Sequence, residues 1–177
     1  MTPVLTVETI QKFLEAGLEN LRPEGDLGTE RKITVYRYNL PDPAPAAMTQ
    51  TAADGPDSYE GMMPAVIVCP VSFEDKAFMD GSSLLAVSLM AGVFSRDNMN
   101  ADGPWAVMNI LERIRRLLLT YRVIEGACEI QEPLGWQLYD DSTKPLWFGE
   151  MMTQWRILVP DRIDPEDWRG DFLKEMM

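Results

Sequence analysis

The chain contains no histidine among its 177 residues. Histidine is the usual general base near neutral pH and a common protein ligand of transition metals. Its absence excludes hydrolases that are built on Ser-His or Cys-His pairs. The sequence also has no glycine-rich phosphate loop, no dinucleotide fingerprint and no CxxC pair. Carboxylate or lysine chemistry stays open, but no spacing points to it, so we expect no enzyme activity, no cofactor and no metal.

Cysteine is scarce, with two residues, Cys69 and Cys128. Cys69 ends an apolar run that begins at Ala65, which favours a buried free thiol acting as a small hydrophobic side chain. A disulfide or a nucleophile is the alternative. No run approaches the roughly 18 apolar residues of a membrane span. Residues 1–6 lack the basic residues and the hydrophobic region of a secretion signal, so we expect the protein in the cytoplasm that makes it.

Basic residues are few, because 16 lysines and arginines stand against 28 aspartates and glutamates, for a net charge of -12. This excess of negative charge repels a phosphate backbone and disfavours general nucleic-acid binding. Two interpretations remain for the acidity. It can simply maintain solubility, or it can suit a surface past which DNA slides without sticking.

Two segments show the apolar spacing of three and four residues that is typical of amphipathic helices. The first spans 7–21, and Thr6 is its predicted N-cap. The second spans 104–121, and Asp102 or Gly103 is expected to cap it. The apolar positions are Ile10, Phe13, Leu14, Leu18 and Leu21 in the first helix, and Val107, Leu111, Ile114, Leu118 and Tyr121 in the second.

Alternating or β-branched residues predict strands at 33–40, 65–71, 83–94 and 148–159. Pro70 cannot donate to a strand ladder, so it predicts an edge or a bulge near the end of its strand. A polar turn is expected at 74–81, and shorter apolar segments lie around Glu129-Ile130 and at 136–139.

The segment 41–63 is rich in proline and acidic residues and cannot pack by itself. It predicts either a solvated loop or an arm that orders against a neighbouring subunit. Near the other end, Asp164 and Pro165 resemble the start of a short helix. We therefore expect one domain over 1–160, followed by a helical tail over 161–177.

The order of elements predicts an α+β fold. Consecutive strands without intervening helices favour a mixed, mainly antiparallel sheet. The two main helices are expected to pack on one face of this sheet, with the short C-terminal helix as an addition. No internal repeat is present.

Two polar motifs are candidate chemical sites. Residues 98–103 resemble the start of a calcium loop, but its twelfth position is Asn109, which cannot supply a bidentate carboxylate. A polar turn that caps a helix explains them better. Asp140 and Asp141 stand beside Ser142 in a sequence typical of a hairpin turn, so solvation is favoured over general acid–base work.

Aromatic, methionine and arginine side chains of the C-terminal half are the candidate interface. The aromatic group can fill a core, but tryptophan and tyrosine also dominate contact centres between proteins. Where methionines occur in pairs on a strand, one of each pair faces away from the core. The basic cluster around Arg113 and Arg122 can contact DNA, pair with a neighbour's carboxylates or be solvated. The interface candidates are Trp136, Tyr139, Trp147, Phe148, Met152, Arg115 and Arg116.

Three stretches carry a resemblance to a known family. They are PLGWQLYDD at 133–141, KPLWFGEMMTQW at 144–155 and the Arg/Ile/Leu-rich segment 106–119. Together they resemble the tail terminator proteins of long-tailed (siphovirus-type) bacteriophages and prophages, of the lambda type. The resemblance covers about residues 85–160. The segment 41–63 departs from the shorter members of that group.

The resemblance implies a structural virion protein without catalytic residues or cofactors. Such a chain forms a ring, expected to be a hexamer, on the last ring of the tail tube protein. The ring stops tube growth and offers a surface to the head–tail connector proteins, at the neck end of the tail, while DNA passes through the lumen. No membrane and no sequence-specific nucleic acid is expected as a partner. The alternatives are another neck component, such as a head–tail joining or completion protein, and a small enzyme or host regulatory module.

Overall fold

The computed structural model describes residues 2–22, 31–41, 56–75, 82–96, 102–139 and 144–158. Within these ranges the chain forms two α-helices, one 3₁₀ helix and six strands. In chain order they are α1 (Pro3–Leu18), β1 (Thr34–Arg37), the 3₁₀ helix Pro56–Met62, β2 (Ala65–Asp75), β3 (Ser82–Phe94), α2 (Asp102–Thr120), β4 (Val123–Ile124), β5 (Cys128–Leu138) and β6 (Leu146–Leu158).

The six strands form one sheet in the order β1-β2-β3-β6-β5-β4. β1 pairs with β2 in parallel, and the other neighbours are antiparallel. The predicted α+β class with a mixed, mainly antiparallel sheet is therefore confirmed. β3 and β6 are the longest strands and pair along their whole length, from Ser82 opposite Leu158 to Phe94 opposite Leu146.

Helix α1 begins earlier than the sequence predicted. The hydroxyl Oγ1 of Thr2 accepts a hydrogen bond from the backbone N–H of Leu5 at 3.3 Å, so Thr2 is the N-cap. The prediction of Thr6 as the cap is wrong, because Thr6 lies inside the helix and its hydroxyl donates to the Thr2 carbonyl at 3.1 Å. Pro3 favours this early start, since proline suits the first helical turn.

Helix α2 also begins earlier, at Asp102, so Asp102 and Gly103 belong to the helix. Four of its five predicted core positions are buried, and the exception is Tyr121. Tyr121 follows the end of the helix and is 56% exposed. Its ring still meets the edge of the Phe13 ring, with the centroids 5.9 Å apart, so it connects the two helices at the surface.

The strands differ from the prediction mainly in length. β1 ends at Arg37, because Tyr38 has a φ of 71° and turns the chain away. β2 continues to Asp75 beyond a shift in register between Pro70 and Ser72, which confirms the predicted bulge. The two short apolar segments after α2 belong to one long strand, β5.

Two buried clusters stabilise the sheet. The main cluster joins residues of α1 and α2 to alternate residues of the strands, including Leu85, Val87, Leu89, Ala91 and Val93. A smaller cluster contains Met63, Ala65, Phe94 and Leu146, with Tyr59 and Phe148 packed against it. By strand alternation the smaller cluster lies on the opposite face of the sheet.

Several predictions fall outside the described residues. These are most of the 41–63 segment (42–55), the end of the polar turn (76–81), the residues around Asn98 (97–101), the Asp140–Asp141 turn (140–143) and the C-terminal helix within 159–177. The described end of the 41–63 segment is not a solvated loop, since Pro56–Met62 forms a 3₁₀ helix and Met63 is buried.

Candidate interaction surface on the groove face of the sheet

Consecutive residues of β6 point to opposite faces of the sheet. An added Cβ at Gly149 would lie 2.8 Å from Val107 and 2.9 Å from Leu111, so Gly149 lies against α2. Trp147 is on the same face, where it fills the space beside Gly103 of α2. Phe148 points the other way and fills the space beside Gly92, whose added Cβ would lie 2.6 Å from the Phe148 ring. Because side chains alternate along a strand, Glu150 and Met152 also lie on the Phe148 face.

A groove of about 490 Å³ lies on this Phe148 face, which is called the groove face below. β2, β3 and β6 form its floor, and the chain after β1 and the 3₁₀ helix line it as well. The apolar lining includes Tyr38, Tyr59, Ile67, Cys69, Met90 and Phe148. A groove of this size and composition accommodates a large side chain or a small ligand.

Glu150 supplies the negative charge of the groove. Ser88 Oγ donates to Glu150 Oε1 at 2.5 Å, and the hydroxyl of Tyr139 donates to Oε2 at 2.5 Å. The hydrogen bond from Ser88, followed by that from Tyr139, lowers the pKa of Glu150 below its ordinary value. The hydrogen bond between Tyr139 and Glu150 also raises the pKa of Tyr139. Glu150 is therefore anionic at neutral pH and fixed in orientation.

The partners of Glu150 are all neutral. Besides Ser88 and Tyr139, the side chain of Gln137 also hydrogen-bonds to it. No lysine or arginine in the described ranges forms an ion pair with this carboxylate. The groove thus combines an apolar floor with a charge that nothing described in the chain neutralises, a combination that suits an incoming cation.

The seven predicted interface residues do not form one patch. Tyr139, Phe148 and Met152 lie on the groove face, and Met152 is 46% exposed. Trp136 and Trp147 pack against the main core cluster instead. Trp147 also donates its indole N–H to the Ser95 carbonyl at 3.2 Å.

The two predicted arginines are on α2, where both contact Glu112. Arg115 and Arg116 approach its carboxylate at 3.4 Å and 3.2 Å. Their neighbour Arg113 is exposed and forms no ion pair with a carboxylate in the described ranges. About two helical turns before Arg113, Trp105 is 58% exposed, so the outer surface of α2 combines an aromatic ring with an arginine.

The sequence interpretation missed Ser88 and Glu150, the polar pair of the groove. Ser88 is 62 residues from Glu150 in the chain, and only the pairing of β3 with β6 brings the two together. The signal that could have found them is positional. Each is a polar residue inside a strand whose neighbours on both sides are apolar or small, and such a residue requires a partner when it is buried.

Both cysteines are free thiols, as favoured for Cys69. Cys69 is only partly buried, since it lines the groove. Cys128 is fully buried, and this burial raises the pKa of its thiol to about 11. Over the described parts of the chain, no cluster of three or more His, Cys, Asp or Glu side chains could hold a metal ion.

The helices of the described ranges are all too short or too polar to cross a membrane. No protein-family model matches the chain, and no curated protein matches it in sequence. The arrangement on the groove face offers contact area, one oriented charge and a partly buried thiol.

Proposed function

We propose that this chain is a structural subunit of a bacteriophage tail, a tail terminator that caps the tail tube as a ring. Six copies would form the ring, stop the polymerisation of the tube protein and present a surface to the head–tail connector proteins. The stretches that resemble tail terminators, 133–141 and 144–155, fall largely on the paired strands β5 and β6. These strands supply Tyr139, Phe148 and Met152 to the groove face.

The observation that carries this proposal is the apolar character of a sheet face opposite α2. Met152 is nearly half exposed, and Val71 and Tyr139 are also exposed large side chains. Exposed apolar groups that gather around one groove mark an interaction site more often than scattered single residues do. A ring subunit needs such a surface, because each copy must bury area against the next one.

The proposed packing places both helices on one face of the sheet and leaves the groove face for a neighbouring subunit. Residues from α1 and α2 contribute to the same main cluster, which supports this arrangement. The proposed architecture also includes a short C-terminal helix within 161–177. Assembly then depends on shape and charge, and no catalytic step is assigned to the chain.

The proposed location is the neck end of the tail in the virion, and the host cytoplasm during assembly. A net charge of -12 is consistent with a lumen through which DNA passes without being held. Contacts with DNA would then be independent of its sequence.

Electron microscopy of particles from a phage that lacks this chain tests the proposed function. We expect tails of abnormal length that are not joined to heads. Tails of normal length without heads would instead indicate a joining protein, and complete particles would remove the virion role. Complementation with the Met152→Glu variant sharpens the test, since this exposed substitution should leave the fold intact and fail to restore particles.

A further inference from the structure

We propose that the groove face of one copy receives the outer surface of α2 from the next copy, with Glu150 of the groove paired to Arg113 of that helix. This inference rests on the proposed ring and deepens it by naming the contact between neighbours. It requires two complementary surfaces on one chain, and the described residues provide both.

The groove supplies the acceptor half of the contact. Its carboxylate, Glu150, is held in place by Ser88 and Tyr139, so no side chain has to be ordered when a cation arrives. The floor around it is apolar, which lowers the local dielectric and strengthens a charge-assisted hydrogen bond. A groove of about 490 Å³ has room for a guanidinium group together with an aromatic ring.

The outer surface of α2 supplies the donor half. Glu112 is already engaged by Arg115 and Arg116, whereas Arg113 has no described carboxylate partner. Trp105 is exposed on the same helix, about 12 Å away along its axis at 1.5 Å per residue. Arginine and tryptophan are two of the three residue types that most often carry the binding energy of protein contacts.

The positions of the two halves determine the symmetry of the contact. Gly149 and Trp147 of β6 pack against α2, so Phe148 and Glu150 point away from that helix. A contact between Glu150 and Arg113 therefore joins opposite sides of two copies. Such a head-to-tail contact cannot close as a twofold dimer and instead repeats from copy to copy, which gives a ring when the rotation between copies closes.

Charge reversal tests the contact directly. Sedimentation velocity of the full chain over a range of concentrations should show that Glu150→Arg and Arg113→Glu each weaken self-association at least tenfold. The double variant, and an equimolar mixture of the two single variants, should restore it, because every groove then faces a helix of opposite charge. The control for Arg113→Glu is Arg22→Glu, which lowers the net charge by the same two units at an exposed arginine outside both surfaces and should associate like the unmodified chain.

Folding and the contact can be separated in the same experiment. Glu150→Gln keeps the shape and most hydrogen bonds of the carboxylate but removes its charge, so it should fold normally and still weaken association. Cys69 lines the groove, and its labelling by a thiol reagent should slow as the protein concentration rises. Within one copy, Arg113 and Cys69 are on opposite sides of the sheet. The Arg113→Glu variant should nevertheless abolish this concentration dependence.

The outcomes distinguish the contact from the ring. If the unmodified chain self-associates but the double variant is as defective as either single one, the ring stands and this contact is overturned. The same follows if Glu150→Arg alone blocks binding to tube protein while Arg113→Glu has no effect, since the groove then serves another partner. A chain that is monomeric at every concentration, with or without tube protein, overturns both proposals.

Discussion

The indole Nε1 of Trp155 donates a hydrogen bond to Thr153 Oγ1 at 2.9 Å, and both side chains are buried on the face of β6 that carries the main cluster. Thr153 in turn donates its hydroxyl to the Val87 carbonyl at 2.7 Å. One hydroxyl group thus satisfies the polar atom of Trp155, the largest fully buried side chain in the described ranges, and links β6 to β3.

This relationship predicts a strong effect of Thr153→Val, which preserves shape but removes the hydroxyl. The Trp155 N–H would be buried without an acceptor, at a cost of about 1–3 kcal/mol in the free energy of unfolding. Urea denaturation measures this cost. In the Trp155→Phe background no indole N–H is present, so the same substitution should cost clearly less. Equal costs in both backgrounds would show that the hydrogen bond contributes nothing.

A second prediction concerns two glycines in paired strands. An added Cβ at Gly149 would lie 2.8 Å from Val107 Cγ1 and 2.9 Å from the backbone oxygen of Gln137. The backbone oxygen cannot rotate away, so Gly149→Ala should destabilise the fold by about 1–3 kcal/mol. Gly135→Ala is the matched control, because nothing lies within 4 Å of its added Cβ. It should be neutral or stabilise the fold by about 0.5 kcal/mol, and a comparable loss in both variants would contradict the assignment of Gly149 to the packed face.

A third prediction concerns pH. Hydrogen bonds from Ser88 and Tyr139 lower the pKa of Glu150 in the folded state. Their contribution to stability is therefore complete above the unfolded carboxyl pKa of about 4.3 and is lost as the pH falls through the lower folded value. Glu150→Gln should be less stable than the unmodified chain at pH 7, by about 1 kcal/mol or less because the site is partly solvated. Thermal unfolding should show this difference shrinking below about pH 4, and a difference that grows there would reverse the sign of the argument.

The two thiols provide a fourth prediction. Cys128 is 2% exposed, and burial raises its pKa to about 11, so it stays protonated and unreactive near pH 8. Cys69 is partly exposed in the groove. A disulfide reagent should modify one thiol in the native monomer and two after denaturation. The native signal should disappear in Cys69→Ser, and rapid modification of Cys128 in the native chain would refute its burial.

The sequence predicted α2 and the strands β3 and β6 because each has a long, regular pattern of apolar residues. Leu85 and Trp155 belong to these patterns, and both are completely buried or nearly so. Helix starts were harder to predict, because Thr2 and Thr6 are chemically equal as caps. The choice between them depends on where the chain turns into the helix, which a pattern of apolar residues does not record.

The candidate interface was only partly predictable for a similar reason. Trp136 and Met152 both stood out by composition, but they lie on opposite faces of the sheet. Trp136 pairs with the buried Met151 and shares its face, whereas Met152 follows Met151 in β6 and points the other way. A single sequence does not show which residue of β5 pairs with which residue of β6, so it does not assign Trp136 and Met152 to their faces.

The neighbouring aromatic rings of Trp147 and Phe148 each fill the space beside a glycine, on opposite sides of the sheet. Gly103 leaves room for the indole beneath α2, and Gly92 leaves room for the phenyl ring across the strand pair. If β6 shifted by one residue relative to β3, each ring would point to the face of the sheet on which no glycine leaves space for it. These two recesses therefore fix the register of β6 against β3. The register in turn determines which side chains each copy exposes on its surface.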